Sequence, residues 1–284
     1  QRIEDAFKLI KAASEAKADA VKIQTYTPST ICTSFDTENS LITDKESPWH
    51  GKRLKELYEE AYTPWEWIEE LYKYAKSLGI ICFSSAFDET SVDFLESIGN
   101  PIYKVASFEN NHFPLIKYIA KTGKPIIVSL GMTSLSDIAE IYSLLNDVSE
   151  NNFALMKCTS NYPASVSDCN ISSIVTLNKI FNCPIGLSDH SLGSAVSIGA
   201  TAIGAVIIEK HITLDKKASG PDNFYSYLPH EFKNYIKSIN TAFISLGKNK
   251  KIITESEKKY GRRKGVYAAR NLIPGQKITR KHLT

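Results

Sequence analysis

Short apolar runs in this chain end on polar residues of a few chemical kinds. Lys22 and Gln24 close one run, Ser84 and Ser85 a second, Lys104 with Ser107 and Glu109 a third, and Ser129 a fourth. Lys157, Thr159 and Tyr162 follow the next. Ser188, Asp189 and His190 close another, and Glu209, Lys210 and His211 the last. Lysines grouped with hydroxyls suit an anion, a phosphate or a carboxylate. Each lysine could instead snorkel to a surface, but lysines embedded in apolar strands favour the anion. Glu109 beside them can orient a substrate hydroxyl or shuttle a proton, or else cap a helix over Asn110–Phe113. A lone histidine in such a place is more often a hydrogen-bonded core residue. His190 and His211, at the ends of adjacent strands, can share one metal ion. Cys158 has no histidine beside it in sequence and reads as a buried thiol. His50, His112, His230 and His282 have no such placement and receive no role.

Something must bring these ends together. The apolar runs Ala20–Gln24, Ile80–Ser84, Ile102–Lys104, Pro125–Ser129, Phe153–Lys157, Pro184–Leu187 and Val206–Lys210 read as strands buried on both faces of a parallel sheet. Helical patterns lie between and after them: Trp65–Leu78, Glu89–Ile98, Pro114–Lys121, Leu135–Leu145, Ile171–Phe181, Leu192–Ile203 and Glu231–Leu246. An amphipathic helix over Ile3–Ala18 opens the chain, and a helix in a βα repeat needs a strand before it. Seven strands plus that one make the eight of a (β/α)8 TIM barrel, in which all strand ends converge on one face where active sites are built. No GxGxxG follows a strand, which weakens the open doubly wound alternative. The expected organisation is a barrel over 1–247 without its first strand, a basic linker over 248–264, and the start of a second small domain over 265–284. The long connection from Thr25 to Thr63 carries little periodicity and is expected to be a functional loop.

Composition sets bounds on what such a protein does. The 284 residues carry 34 Lys plus Arg against 31 Asp plus Glu, a net charge of only +3, and 43% are hydrophobic. These values exclude a disordered or fibrous chain and give no basis for nucleic-acid binding. The uncharged stretch Ser191–Ile208 is long enough for a membrane span but is broken by glycines, and reads as a buried helix running into a strand. Five cysteines with no CxxC spacing favour a reducing, cytoplasmic compartment.

The segments Val21-Lys-Ile-Gln-Thr-Tyr-Thr, Phe83-Ser-Ser-Ala-Phe-Asp, Tyr103-Lys-Val-Ala-Ser-Phe-Glu, Ser129-Leu-Gly-Met, Lys157-Cys-Thr-Ser-Asn-Tyr-Pro, Gly186-Leu-Ser-Asp-His-Ser, Ile208-Glu-Lys-His-Ile-Thr-Leu-Asp and Gly220-Pro-Asp resemble, in collinear order, the sialic acid synthase family. Lys22-Ile-Gln-Thr-Tyr-Thr-Pro and Leu57-Tyr-Glu-Glu-Ala-Tyr-Thr-Pro-Trp-Glu-Trp resemble its pseudaminic acid synthase branch. The resemblance implies a (β/α)8 barrel followed by a small antifreeze-like (SAF) domain, which caps the partner's barrel in a domain-swapped homodimer. It also implies a first strand bearing a Glu and an Asn-His-x-Gly loop ahead of Gln1, and a substrate-facing Arg beyond Thr284.

The implied substrates are phosphoenolpyruvate and a 6-deoxy diacetamido sugar, and the implied product is a nonulosonic acid. The implied cofactor is a divalent metal ion on His190 and His211, Mn2+ first, with Mg2+ or Co2+ as alternatives. Lys22, Ser85, Lys104, Ser107, Ser129 and Ser188 align with phosphoenolpyruvate-holding positions. Glu109, Tyr162 and Asp222 align with sugar-facing ones, and Gln24 joins the substrate-binding set. Glu109, Lys104, His190 and His211 form the catalytic set. Ser85 replaces the usual Thr, Ala86 the usual Pro, and Ser160 stands where sialic enzymes carry an Asn.

Two other functions fit less well. One is a sialic or legionaminic acid synthase, differing only in the sugar pocket. The other is a nucleic-acid or polysaccharide-binding protein built on a degenerate barrel, motivated by the basic stretch Lys248–Lys264. Steeply salt-dependent retention on DNA would mark the second.

Overall fold

The computed structural model describes residues 2–32, 40–43, 49–149, 151–261 and 263–284. It divides into two compact units, Gln1–Ser245 and Leu246–Thr284.

In the first unit, seven strands form one parallel sheet in chain order: β1 (Ala20–Thr25), β2 (Ile81–Ala86), β3 (Tyr103–Val105), β4 (Ile126–Ser129), β5 (Phe153–Cys158), β6 (Ile185–Asp189) and β7 (Ile208–Lys210). The sheet curls. Glu209 on β7 pairs with Lys22 on β1 at 3.3 Å and approaches Lys104 on β3 at 3.8 Å, so strands from opposite edges meet. The eighth strand of the expected barrel is not among the described residues.

Helices cover the outer face: α1 (Ile3–Glu15), α2 (Pro28–Ile31), α3 (Leu54–Ala61), α4 (Trp65–Ser77), α5 (Glu89–Ser97), α6 (Phe113–Ala120), α7 (Leu135–Val148), α8 (Ser173–Ile180), α9 (Ala195–Ala202) and α10 (Pro229–Leu246). Local chemistry sets their ends. Asp88 accepts from the Ser91 amide at 3.1 Å and starts α5; Ser134 accepts from the Asp137 amide at 3.3 Å and starts α7. Gly79 takes φ +70 after α4, a conformation that costs a Cβ-bearing residue strain. The main core joins strand residues such as Ile126, Val128, Leu155, Ile185 and Leu187 to helix residues such as Leu95, Leu115, Ile119, Leu145 and Val196. A second core, with Ile10, Leu71, Ala75, Phe232 and Tyr235, fills the junction of α1, α4 and α10.

The uncharged stretch Ser191–Ile208 is indeed α9 followed by the start of β7, and no helix among the described residues is long and apolar enough to cross a membrane. Some boundaries differ from expectation. β2 runs past Ser84 through Ser85 to Ala86, and β6 past Leu187 through Ser188 and Asp189, because these polar side chains are buried rather than marking the surface. The Thr25–Thr63 connection holds α2 and α3, whose side chains are at most half-buried and so give weak periodicity.

The second unit is described by itself. Within Lys248–Lys264 lies a short helix, α11 (Glu255–Tyr260), started by a reciprocal cap. The Thr254 hydroxyl accepts from the Glu257 amide at 3.2 Å, and Glu257 accepts from the Thr254 amide at 2.7 Å. The segment Val266–Ala269 carries a single antiparallel bridge, Ala268 to Leu283, flanked by hydrogen bonds between Tyr267 and Thr284. His282 is buried there as a structural group, its Nδ1 accepting from the Thr279 amide at 2.9 Å.

Candidate functional site

Alternation along a strand sends successive side chains to opposite faces. Lys22, Lys104, Ser188 and Glu209 fall on the concave face of the sheet, and they meet. Glu209 is the hub: Oε2 faces Lys22 Nζ, and Oε1 accepts from Ser188 Oγ at 2.9 Å while facing Lys104 Nζ. Lys104, only 2% exposed, donates to Ser129 Oγ at 2.7 Å. Burial alone would raise the Glu209 pKa, but the two ammonium groups hold it well below the usual carboxylate range. Burial pushes Lys104 down to about 8, against the pull of Glu209. Two cations thus share one carboxylate in a place largely closed to water. A buried excess of positive charge is costly unless an anion completes it.

Hydroxyls and amides surround this group. Ser107 Oγ accepts from the Gly131 amide at 3.1 Å, and Asn110 donates to the carbonyls of Ser129 and Gly131 at 3.1 Å each. Gly131 is required by close approach: a Cβ there would collide with the Ser160 hydroxyl and stand 2.6 Å from Ser107 Oγ. Gly131→Ala is therefore expected to cost about 1–3 kcal/mol by overpacking. The reading is a lower urea midpoint at unchanged slope, and an unchanged midpoint would refute the tight fit.

Ser85 sits in register with both Gln24 and Lys104. Its Oγ is buried and, like Glu109 Oε2, has no hydrogen-bond partner among the described residues. An unpaired buried hydroxyl can donate to a ligand's anion, and an unpaired buried carboxyl can pair with a ligand's hydroxyl. Glu109 ends a 3-10 turn over Ser107–Glu109 rather than capping a helix directly. Burial lifts its pKa to about 7, opposed by Lys104. Its folded pKa exceeds the unfolded value, so the protonated form's contribution to stability is complete below about 4.5 and is lost as pH rises through about 7. Glu109→Gln is expected to be more stable than the parent by about 2 kcal/mol at pH 8, with the gap closing at pH 5. Urea melts at the two pH values check this, and a pH-independent gap would contradict it.

The histidines form a second group beside the first. His190 and His211 have ring centroids 5.3 Å apart, and Tyr225 packs edge-on against both. Tyr162 lies 4.4 Å from the His190 ring and is part-exposed. Asp222 accepts from Tyr225 Oη at 2.5 Å and faces His211 Nδ1 at 3.4 Å. His190 Nδ1 lies 3.1 Å from the Thr159 carbonyl, which can only accept, so that nitrogen carries the proton. Both Nδ1 atoms are thus engaged by acceptors, which leaves each Nε2 lone pair for another partner. That is the arrangement of metal-ligating histidines. Burial also pushes His211 below the usual imidazole range, against the pull of Asp222, and keeps it neutral. Among the described residues no three His, Cys, Asp or Glu side chains converge as a metal cluster. The two imidazoles therefore fit a labile divalent ion completed by water and substrate, not a closed structural site.

Two features escaped the sequence reading. Glu209 was visible at a strand end but unassigned; its signal is its place two residues before His211, matching Ser188 before His190. The Gly131 cradle has no signal apart from the fold.

Residues 9–251 match the model of the NeuB family. The chain is 38% identical over 284 residues to pseudaminic acid synthase of Campylobacter jejuni, covering 99% of this chain and 82% of that one. It is 36% identical to pseudaminic acid synthase of Helicobacter pylori, covering 96% and 81%. The structure of N-acetylneuraminic acid synthetase from Leptospira borgpetersenii, in complex with citrate, superposes with a TM-score of 0.80 at 30% identity, covering 91% of this chain and 85% of that one.

Proposed function

The chain belongs to the NeuB family, and from that premise we propose that it is a pseudaminic acid synthase. It condenses phosphoenolpyruvate with 2,4-diacetamido-2,4,6-trideoxy-L-altrose and water, releasing phosphate. The observation that carries the reading is the buried charge group in which Lys22 and Lys104 share Glu209, with Ser129 and Ser188 closing it. This is a place for a small polyanion.

The proposed reaction follows from the two groups. Lys22, Lys104 and the hydroxyls of Ser85, Ser107, Ser129 and Ser188 hold the phosphate and carboxylate of phosphoenolpyruvate, so its enol carbon is fixed with no reorganisation at the moment of attack. His190 and His211 hold a divalent ion, Mn2+ first, which when bound supplies a Lewis acid for the sugar aldehyde. Glu109, with a pKa near neutrality, protonates the aldehyde oxygen as the carbon–carbon bond forms and accepts a proton from the water that adds to the cationic enol carbon. Tyr162 and Asp222 line the sugar's side of the histidine pair. Collapse of the tetrahedral intermediate expels phosphate, whose charge the lysines stabilise.

The sugar is tested by side-by-side kinetics. The trideoxy sugar is expected to be turned over with the higher kcat/KM, and the product to carry the mass of pseudaminic acid. Preference for N-acetylmannosamine would overturn the branch assignment in favour of a sialic acid synthase.

A further inference from the structure

The faces of β6 and β7 that carry Ser188 and Glu209 serve the site, but the opposite faces hold a second charged group that the reaction does not use. Asp189 and Lys210 are direct partners in the β6–β7 register. Their side chains meet at 3.1 Å and are 0% and 2% exposed. Both oxygens of Asp189 are saturated. Oδ1 accepts from the Ser191 amide at 2.8 Å and from Ser191 Oγ at 2.6 Å, and Oδ2 accepts from Ser197 Oγ at 2.6 Å. Ser197 Oγ in turn lies 2.6 Å from Tyr235 Oη on α10. Lys210 also donates to the Ser191 carbonyl and stands over the rings of Tyr227 and Tyr235 at 5.3 and 5.8 Å. The network ties β6, the turn after it, α9, α10 and β7 together at the level where His190 and His211 leave their strands.

We propose that the Asp189–Lys210 ion pair is the positioning pair for His190 and His211, setting the spacing of the two imidazoles from the far side of the sheet. The proposal rests on the reading of those histidines as metal ligands. Elsewhere on the outer face the chain packs apolar residues such as Ile185, Leu187 and Val196. A buried ion pair is seldom more stable than well-packed apolar residues of the same volume, so stability does not account for it. What a saturated pair supplies is one allowed register. A slip of β7 by one residue would turn His211 to the other face and remove it from His190. Each charged residue immediately precedes its histidine, so an error in the pair passes directly into the ligand spacing.

The test is Mn2+ binding, followed by electron paramagnetic resonance titration of the metal-stripped protein with the metal alone, alongside the KM for phosphoenolpyruvate. Lys210→Met is expected to weaken Mn2+ about 10–100-fold, the usual effect of losing support behind a ligand. The KM for phosphoenolpyruvate should stay within about 3-fold at saturating metal, since the lysine–serine group lies on the other face. A folded Lys210→Met protein that binds Mn2+ like the parent overturns the proposal. So does an equal fall in affinity for both ligands, which marks a general loss of packing. If Lys210→Met does not fold, Ser197→Ala removes the hydroxyl that donates to Asp189 and pairs with Tyr235 while leaving both charges in place. It must then weaken Mn2+ by about 3-fold or more, the worth of one hydrogen bond, and unchanged affinity overturns the proposal. His190→Ala is the control: if it and the parent take up Mn2+ alike, the ligand assignment itself has failed and the positioning role falls with it.

Discussion

Lys104→Met is expected to lower kcat/KM for phosphoenolpyruvate by roughly 10–150-fold, the worth of one charge-assisted contact of about 1.5–3 kcal/mol. Methionine keeps most of the volume of the buried stem and removes only the ammonium group, so the fold should survive. The KM for the sugar should change little. Burial holds Lys104 down to about 8, and the free enzyme should therefore lose affinity for the anion as pH rises through that value. The alkaline limb belongs in kcat/KM, which reports the free enzyme; bound phosphate keeps the lysine charged in the complex.

Stability has the opposite sign. The folded pKa lies below the usual 10.5, so the unfolded chain binds the extra proton. The lysine's contribution is complete above about 10.5 and is lost as pH falls through about 8. The parent should gain stability with rising pH across that window, and the Met variant should not. Wild-type kinetics for both substrates, or an alkaline limb that persists in the variant, would place Lys104 outside the site.

Every strand of the sheet could be found in the sequence, because parallel strands buried on both faces are written as apolar runs. Their ends were harder to place. Ser84, Ser85, Ser188 and Asp189 look like surface residues in a one-dimensional reading, yet they are fully or nearly fully buried. Their polarity belongs to the site and its supports. The same confusion hid Glu209: a carboxylate among apolar residues looks like an exposed strand end until β1 and β3 bring Lys22 and Lys104 to it. The histidine pair was legible because imidazoles at two adjacent strand ends must be neighbours if the strands are. The acceptors behind them, the Thr159 carbonyl and Asp222, were not, since they come from loops whose course no periodicity predicts. In the second unit Thr254 and Glu257, a capping pair three residues apart, start α11 inside a lysine-rich stretch whose charge reads as a linker.

Removal of the divalent ion proposed for His190 and His211 is expected to abolish activity and leave the first unit folded. The first unit holds a large core of apolar side chains, so chelation should leave the urea midpoint nearly unchanged, unlike a structural zinc domain that unfolds without its ion. Adding Mn2+ or Co2+ should restore turnover. His190→Ala and His211→Ala should each stay folded and lose activity by at least about 100-fold, with partial rescue at high metal, because one imidazole still holds the ion weakly. The double variant should bind none. Acid should weaken metal binding in the parent as well, since a protonated imidazole cannot ligate. His211 is already held below the usual imidazole range by burial, so its own protonation is expected below the ordinary histidine value. Two observations would remove the ion from the reaction: full turnover in a preparation shown to be metal-free, or undiminished turnover in the double His→Ala variant. Either would leave Glu109, poised near neutrality beside the lysines, as the group that must activate the aldehyde alone.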